Sequence, residues 1–266
     1  IAKNDVIELK LKFNDALMYT SKNHSPFRAH SKVISPTLVY ENDDIAILNK
    51  PRGIVTHGEN SMAAYALTEF KQSTSLSFVP APLHRLDRNT SGLLIVSKTL
   101  NGARKISKAI KEHALEKHYL AVIEGSLQHP AVWADYLVRD TATKTTSVSF
   151  QTDADPGRKG ILRIIPLIHN KAFTLVDINL ITGITHQIRA QCSFHGFPLA
   201  GDLKYGSRVH VPFYFLHAWA IKNIDTILPE SPSMITSYPD DNQLSFAEKY
   251  FKLEFPKKNE IIASIQ

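Results

Sequence analysis

The 266-residue sequence has a single cysteine, Cys192. An intramolecular disulfide is excluded, a thiolate metal site cannot be assembled, and a reducing cytoplasm is the expected compartment. The 12 histidines include no H-E-x-x-H pair, so no metal is expected. No glycine-rich phosphate loop or dinucleotide fingerprint occurs, and no cofactor is expected. Apolar runs long enough for a helical membrane span are absent, and no signal-peptide pattern opens the chain. The chain begins at Ile1 rather than methionine and reads as a fragment of something longer. Acid is outnumbered as well: 25 Asp and Glu face 31 Lys and Arg, for a net charge of +6. That balance suits a polyanionic partner. What is present in quantity is apolar side chain, 43% of residues, enough for the core of one large domain or two small ones.

The chain is organised around HRLDRNTSGLLIV, residues 84–96. Leu93–Val96 has the length and β-branched content of a buried strand, and Asn89–Gly92 reads as the tight turn entering it. Asp87 therefore falls on a strand-entering loop, where scaffolds commonly present chemistry. Its neighbours Arg85 and Arg88 would favour the ionised carboxylate, as nucleophile or base. On this stretch alone, a surface ion pair is the simpler explanation of Asp87.

Other segments have clear periodicity. Residues 5–11 alternate as one half-exposed strand, and 15–35 form a polar linker or wrapping arm. Val39–Tyr40 and Ile45–Leu48 read as paired strands around 41–44. Lys50 and Arg52 lie on a Pro/Gly-stiffened loop suited to phosphate contacts. Residues 61–70 are helical, with Ser61 as cap, and 71–77 form a polar loop. Residues 101–113 form a second helix, with Ala103, Ile106, Ala109 and Ile110 as its apolar stripe. Arg104, Lys105 and Lys108 lie on its outer face, either solvated or following RNA phosphates. Residues 117–125 and 172–180 are strands, and 153–160 a hairpin turn. Thr185 is the expected N-cap of a short helix ending near Gly196, and 244–265 a closing helix interrupted by Pro256.

Six blocks carry a family resemblance. HRLDRNTSGLLIVSK (84–98) resembles the signature of RluA-type pseudouridine synthases, whose HRLD aspartate is catalytic; the matching residue is Asp87. NKPRGIVTHG (49–58) resembles the family's NKPxGxxxH segment, with His57-Gly58 closest to the RluC-like branch. KHYLAVIEG (117–125) resembles KxYLAxVxG, whose tyrosine lines the active site, here Tyr119. TGITHQIR (182–189) resembles TGRTHQIR, whose last arginine, here Arg189, pairs with the catalytic aspartate. PLAGDLKYG (198–206) and LHA (216–218) match the segments that follow. One departure is Ile184, where the family usually has arginine. Residues 5–11 resemble the last strand of an S4-type RNA-binding domain, although an edge strand of the main domain fits them as well.

The resemblance implies an α+β fold: a mixed, mostly antiparallel central sheet with flanking helices and a central cleft. It implies a strand and linker over 1–34 and a catalytic domain over 35–266. The implied activity is isomerisation of uridine to pseudouridine without a cofactor. The implied substrate is 23S-type large-subunit ribosomal RNA, with transfer RNA as the alternative, acted on by a monomer with no membrane attachment. Asp87 would attack C1′ or take a proton from C2′, Tyr119 would stack on the base or aid proton transfer, and Arg189 would orient Asp87. His84, Arg85, Arg88, Lys50, Arg52, His57, Thr185, His186, Gln187, Arg104, Lys105 and Lys108 are the expected RNA-contacting set. A non-catalytic RNA-binding or ribosome-assembly factor that kept the fold is the competing reading, and Ile184 is the feature that favours it. A hydrolase reading built on His84, Asp87 and Ser91 is weaker, because all three lie on one loop and no G-x-S-x-G elbow is present.

Overall fold

The computed structural model describes residues 35–74, 78–149 and 157–265. The strand at 5–11, the linker and any S4-type remnant lie outside these, as does most of the turn at 153–160.

Strands β1 (Thr37–Glu41), largely exposed, and β2 (Ile45–Lys50), largely buried, pair antiparallel. Asn42 makes their turn by accepting from the amides of Asp44 and Ile45 at 3.0 and 2.9 Å. Helix α1 (Met62–Glu69) starts where Ser61 accepts from the Ala64 amide. Strands β3 (Ala81–Pro82) and β4 (Ser91–Ser97) follow. Helix α2 (Leu100–Lys111) is capped by Thr99. Five strands come next: β5 (Glu116–Glu124), β6 (Ala131–Asp140), β7 (Thr145–Ser149), β8 (Arg158–His169) and β9 (Phe173–Leu180). The expected turn at 153–160 thus has its last residues in β8, which pairs with β6 rather than β7.

Helix α3 (Gln187–Phe194) ends in a Schellman motif. Gly196 donates to Ser193 O, Phe197 donates to Cys192 O, and Gly196 has φ +82°. Strands β10 (Leu216–Lys222) and β11 (Met234–Thr236) precede two helices, α4 (Asp241–Phe251) and α5 (Lys258–Ser264). The single closing helix expected over 244–265 is therefore two. A capping box between Asp240 and Gln243 starts the first early, and left-handed Lys252 ends it before Pro256.

The sheet runs β1-β2-β4-β10-β5-β9-β8-β6-β7, with β11 added on β10 and β3 on β4. Every pairing is antiparallel except β4 with β10. This is the expected mixed, mostly antiparallel α+β architecture. The parallel junction depends on Gly92: its φ is +108°, and a Cβ there would stand 2.2 Å from the Ala218 carbonyl oxygen.

Strand alternation divides the molecule into two faces. On one face, Leu94, Tyr119, Ile178 and Leu216 pack with Met62 and Ala66 of α1 and Ile188 of α3. On the other, Leu93 and Ile95 pack with Ile106 and Ala109 of α2. Leu120, Val122 and Trp219 of that second face pack with Ala247 and Phe251 of α4 and Ile261 of α5. Asp87 belongs to the first face and α2 to the second, which decides what α2 can contact.

Candidate active site

The loop bearing Asp87 is held by backbone and side-chain contacts on both sides. His84 Nε2 accepts from the Ile95 amide at 3.1 Å. Thr56 Oγ1 donates to Leu86 O at 2.8 Å and accepts from Leu86 N at 3.0 Å, fixing the residue just before Asp87. The Gly53 amide donates to Arg88 O at 2.7 Å, and Thr90 N to Asp87 O at 3.1 Å. Buried Lys50 donates to the carbonyls of Pro51, Ile54 and Arg88 at 2.8, 2.7 and 3.3 Å. These contacts join the 50–56 loop to the Asp87 loop.

The second half of the site is the turn from β9 into α3. Gln187 locks it: Oε1 accepts from Thr182 Oγ1 and from Ile184 N, while Nε2 donates to Ile161 O. The N-cap residue is His186, in a left-handed conformation and without a side-chain cap, rather than Thr185. Thr185 instead offers its carbonyl to Thr146 Oγ1 at 2.8 Å. With the turn held by Gln187, no hydroxyl cap is needed.

This turn aims Arg189 into the cleft. Its Nε and Nη2 donate to both oxygens of buried Asp202 at 2.6 and 2.8 Å. Its Nη1 stands 3.5 Å from Asp87 Oδ2. The guanidinium lies between the rings of Tyr205 and Tyr214, 4.6 and 4.8 Å from their centroids. Burial opposes the arginine's charge, but the Asp202 hydrogen bonds and the nearby charges of Tyr214, Asp202 and Asp87 together outweigh it and raise its pKa. The bidentate partner is therefore Asp202, and the remaining nitrogen makes the expected pair with Asp87.

His186 completes the surroundings of Asp87, with Nε2 3.8 Å from Oδ2. Tyr205 Oη and His186 Nδ1 are 2.7 Å apart. Burial lowers the His186 pKa, so the ring is neutral at pH 7. The tyrosine then donates to Nδ1, and the Nε2 hydrogen faces the carboxylate. Tyr119 lines the cleft from β5, and burial together with Asp87 keeps its phenol protonated. Ile184 also lines it and packs with Leu137, Ala190 and Tyr205. An apolar cluster thus occupies the place where the family's arginine stands.

The structure gathers Asp87, Tyr119, Arg189 and His186 around one cleft, but it separates several expected RNA contacts from it. Lys50 is fully buried, its three donors are all taken by carbonyls, and burial lowers its pKa to about 7, so it braces the loop. Gln187 is buried in the same way. His84 spends its acceptor on β4, and burial pushes it down to about 3. Arg85 and Arg88 are exposed and pair with no carboxylate of the described residues, whereas Arg189 and Lys50 bring positive charge to Asp87. Arg52 stacks on Phe213, while His57 is exposed. Arg104, Lys105 and Lys108 point outward from the far face of the sheet, away from the cleft. Sequence reasoning missed Thr56, Asp202, Tyr205 and Tyr214. Asp202 and Tyr205 stand in the GDLKYG segment, but nothing local marks them as partners of Arg189 and His186.

A mostly antiparallel sheet with this carboxylate, arginine and tyrosine at its central cleft defines a pseudouridine synthase architecture. The fold matches that of human RNA Pseudouridylate Synthase Domain Containing 4, with TM-score 0.70 and 18% identity, over 83% of this chain and 95% of that one. The RNA pseudouridylate synthase family model matches residues 44–194, and the chain belongs to that family. It is 32% identical over 183 residues to the RNA pseudouridine synthase YlyB of Bacillus subtilis, covering 66% of this chain and 59% of the relative. It is 28% identical over 233 residues to ribosomal large subunit pseudouridine synthase C of Pasteurella multocida, covering 81% and 71%. These relatives agree with the RluA-type, RluC-like resemblance. The chain thus spans less than two thirds of the YlyB length and somewhat more of the Pasteurella protein.

Proposed function

We propose that this protein isomerises uridine to pseudouridine in large-subunit ribosomal RNA, acting in the cytoplasm as a monomer and with Asp87 as the reacting carboxylate. The observation that carries this reading is Asp87 held beside the Asp202-anchored Arg189 in a cleft that Tyr119 also lines.

The reaction breaks the C1′–N1 bond, turns the uracil and forms a C1′–C5 bond. The C5 proton leaves and N1 gains one, so the change is redox-neutral. A base must leave its stack to reach the cleft, at a cost of a few kcal/mol that contacts to the RNA offset. Attack on C1′ and removal of the C2′ proton both need an ionised Asp87, and Arg189 serves either by holding positive charge 3.5 Å away. Tyr119 stays protonated, which suits it to bounding the base or giving up a proton rather than acting as a base.

The test uses ribosomal RNA carrying 5-tritiated uridine, because bond formation at C5 releases the label to water. Wild type releases tritium, and Asp87→Asn loses on the order of 10³-fold in rate while still binding RNA. An Asp87→Asn enzyme with near wild-type release would remove Asp87 from the mechanism. Bound RNA with no release by wild type would favour the binding-factor reading.

A further inference from the structure

The cleft face of β5 holds a buried cation whose chemistry is unspent. Lys117 stands in β5 two residues before Tyr119, on the same face and about 7 Å along the strand. It is 6% exposed. No carbonyl, carboxylate or hydroxyl of the described residues hydrogen-bonds or pairs with its ammonium, and burial alone lowers its pKa, to about 8. The nitrogen is not sealed from solvent, since Gln191 Oε1 is the side-chain polar atom of the described residues that is buried without a partner.

Its surroundings place it between the two motif loops. The charge of Lys117 is felt by His84, at the start of the Asp87 loop. A Cβ added to Gly183, in the turn leading to Arg189, would stand 3.7 Å from Nζ. The adjacent carboxylate, Glu116, is of no use to it. Strand alternation turns Glu116 to the far face, where it meets His118, Lys222 and Asn223. A largely desolvated ammonium with no anion costs stability in the free protein. A ligand that brings the anion removes that cost.

We propose that Lys117 is an anion subsite of the cleft that receives a backbone phosphate of the RNA beside the nucleotide whose base lies at Tyr119. The spacing along β5 is within the reach of one nucleotide. This rests on the RNA-isomerising reading above.

The test compares Lys117→Met and Lys117→Arg with wild type in RNA affinity across salt concentrations, in KM and kcat for tritium release, and in melting temperature. The methionine is close in length and removes only the charge. Lys117→Met should raise KM about tenfold with a smaller change in kcat, and lower the salt slope by about one unit. Its melting temperature should rise, because an unpaired buried charge is gone. Lys117→Arg should restore the slope. A methionine variant that melts lower or fails to fold would make Lys117 a structural cation and overturn the proposal, as would an unchanged slope and KM. If wild type releases no tritium, the isomerase reading fails, and the salt slopes still judge Lys117 separately.

Discussion

The two faces of β5 treat their charged groups in opposite ways. On the far face, Asp177 is wholly buried and accepts from His118 Nδ1 at 2.8 Å and Trp219 Nε1 at 2.7 Å. Glu116 is paired there as well, with His118 and Lys222. On the cleft face, one residue away in each direction, Lys117 has no partner among the described residues and Tyr119 borders a carboxylate shared by Arg189 and His186. Satisfied networks hold a fold in one state, whereas unspent donors and acceptors wait for a ligand. The contrast separates residues whose loss should unfold the protein from those whose loss should silence it.

The largest effect that would break this contrast is the catalytic one, the Asp87→Asn loss described above, which should leave stability nearly untouched. Next is its mirror image on the far face. Asp177→Ala leaves His118 and Trp219 with buried, unanswered donors and should cost about 3 kcal/mol or more in urea unfolding. The turnover of the fraction that remains folded should persist. A stable but inactive Asp177→Ala protein would show that the faces are coupled.

A smaller effect is the dependence of stability on pH. His217 is buried, close to Ser91 Oγ at 2.9 Å through Nδ1 and to Ser237 O at 2.7 Å through Nε2. Both bonds suit a neutral ring that accepts at Nδ1 and donates at Nε2. Burial lowers its pKa from 6.5 to about 4. As pH falls below 6.5 the unfolded chain takes up this proton before the folded one does. Stability should therefore fall from pH 6.5 towards 4, by roughly 3 kcal/mol from this residue, and is fully present above 6.5. His84, pushed down to about 3, adds to the same trend. Denaturation midpoints across the window check the slope, and His217→Gln should reduce it by one proton.

The smallest effect concerns α2. Lys105→Glu with Lys108→Glu should leave RNA affinity and its salt slope nearly unchanged, because these side chains face away from the cleft. A fall in slope of about one unit per residue would mean that the RNA wraps around to the far face.

Much of this molecule was legible from one sequence where the signal is local. Short apolar, β-branched runs marked β2, β4 and β5, clean alternation marked β9, and the hydroxyl cap at Ser61 and the apolar stripe of α2 marked two helices. Thr185 misled because its hydroxyl suggested a cap that Gln187 made unnecessary. Lys50 and Arg52 looked like phosphate contacts because a cation on a Pro/Gly loop is indistinguishable in sequence from one folded beneath it. Arg104, Lys105 and Lys108 showed which side of their helix is solvated, but not which face of the sheet that helix covers.

The sequence by itself determined the order of the elements, the family motifs and the presence of Asp87, Tyr119 and Arg189, because each is written in neighbouring residues. Tertiary structure alone decided that Asp202 takes two nitrogens of Arg189, that Thr56 pins Leu86 and that Lys117 is left without an anion among the described residues. Those outcomes depend on pairs 13 and 30 residues apart and on the parity of a strand in a sheet. A side chain's partner is set by which segments the fold brings within about 3 Å, and that distance is not encoded locally.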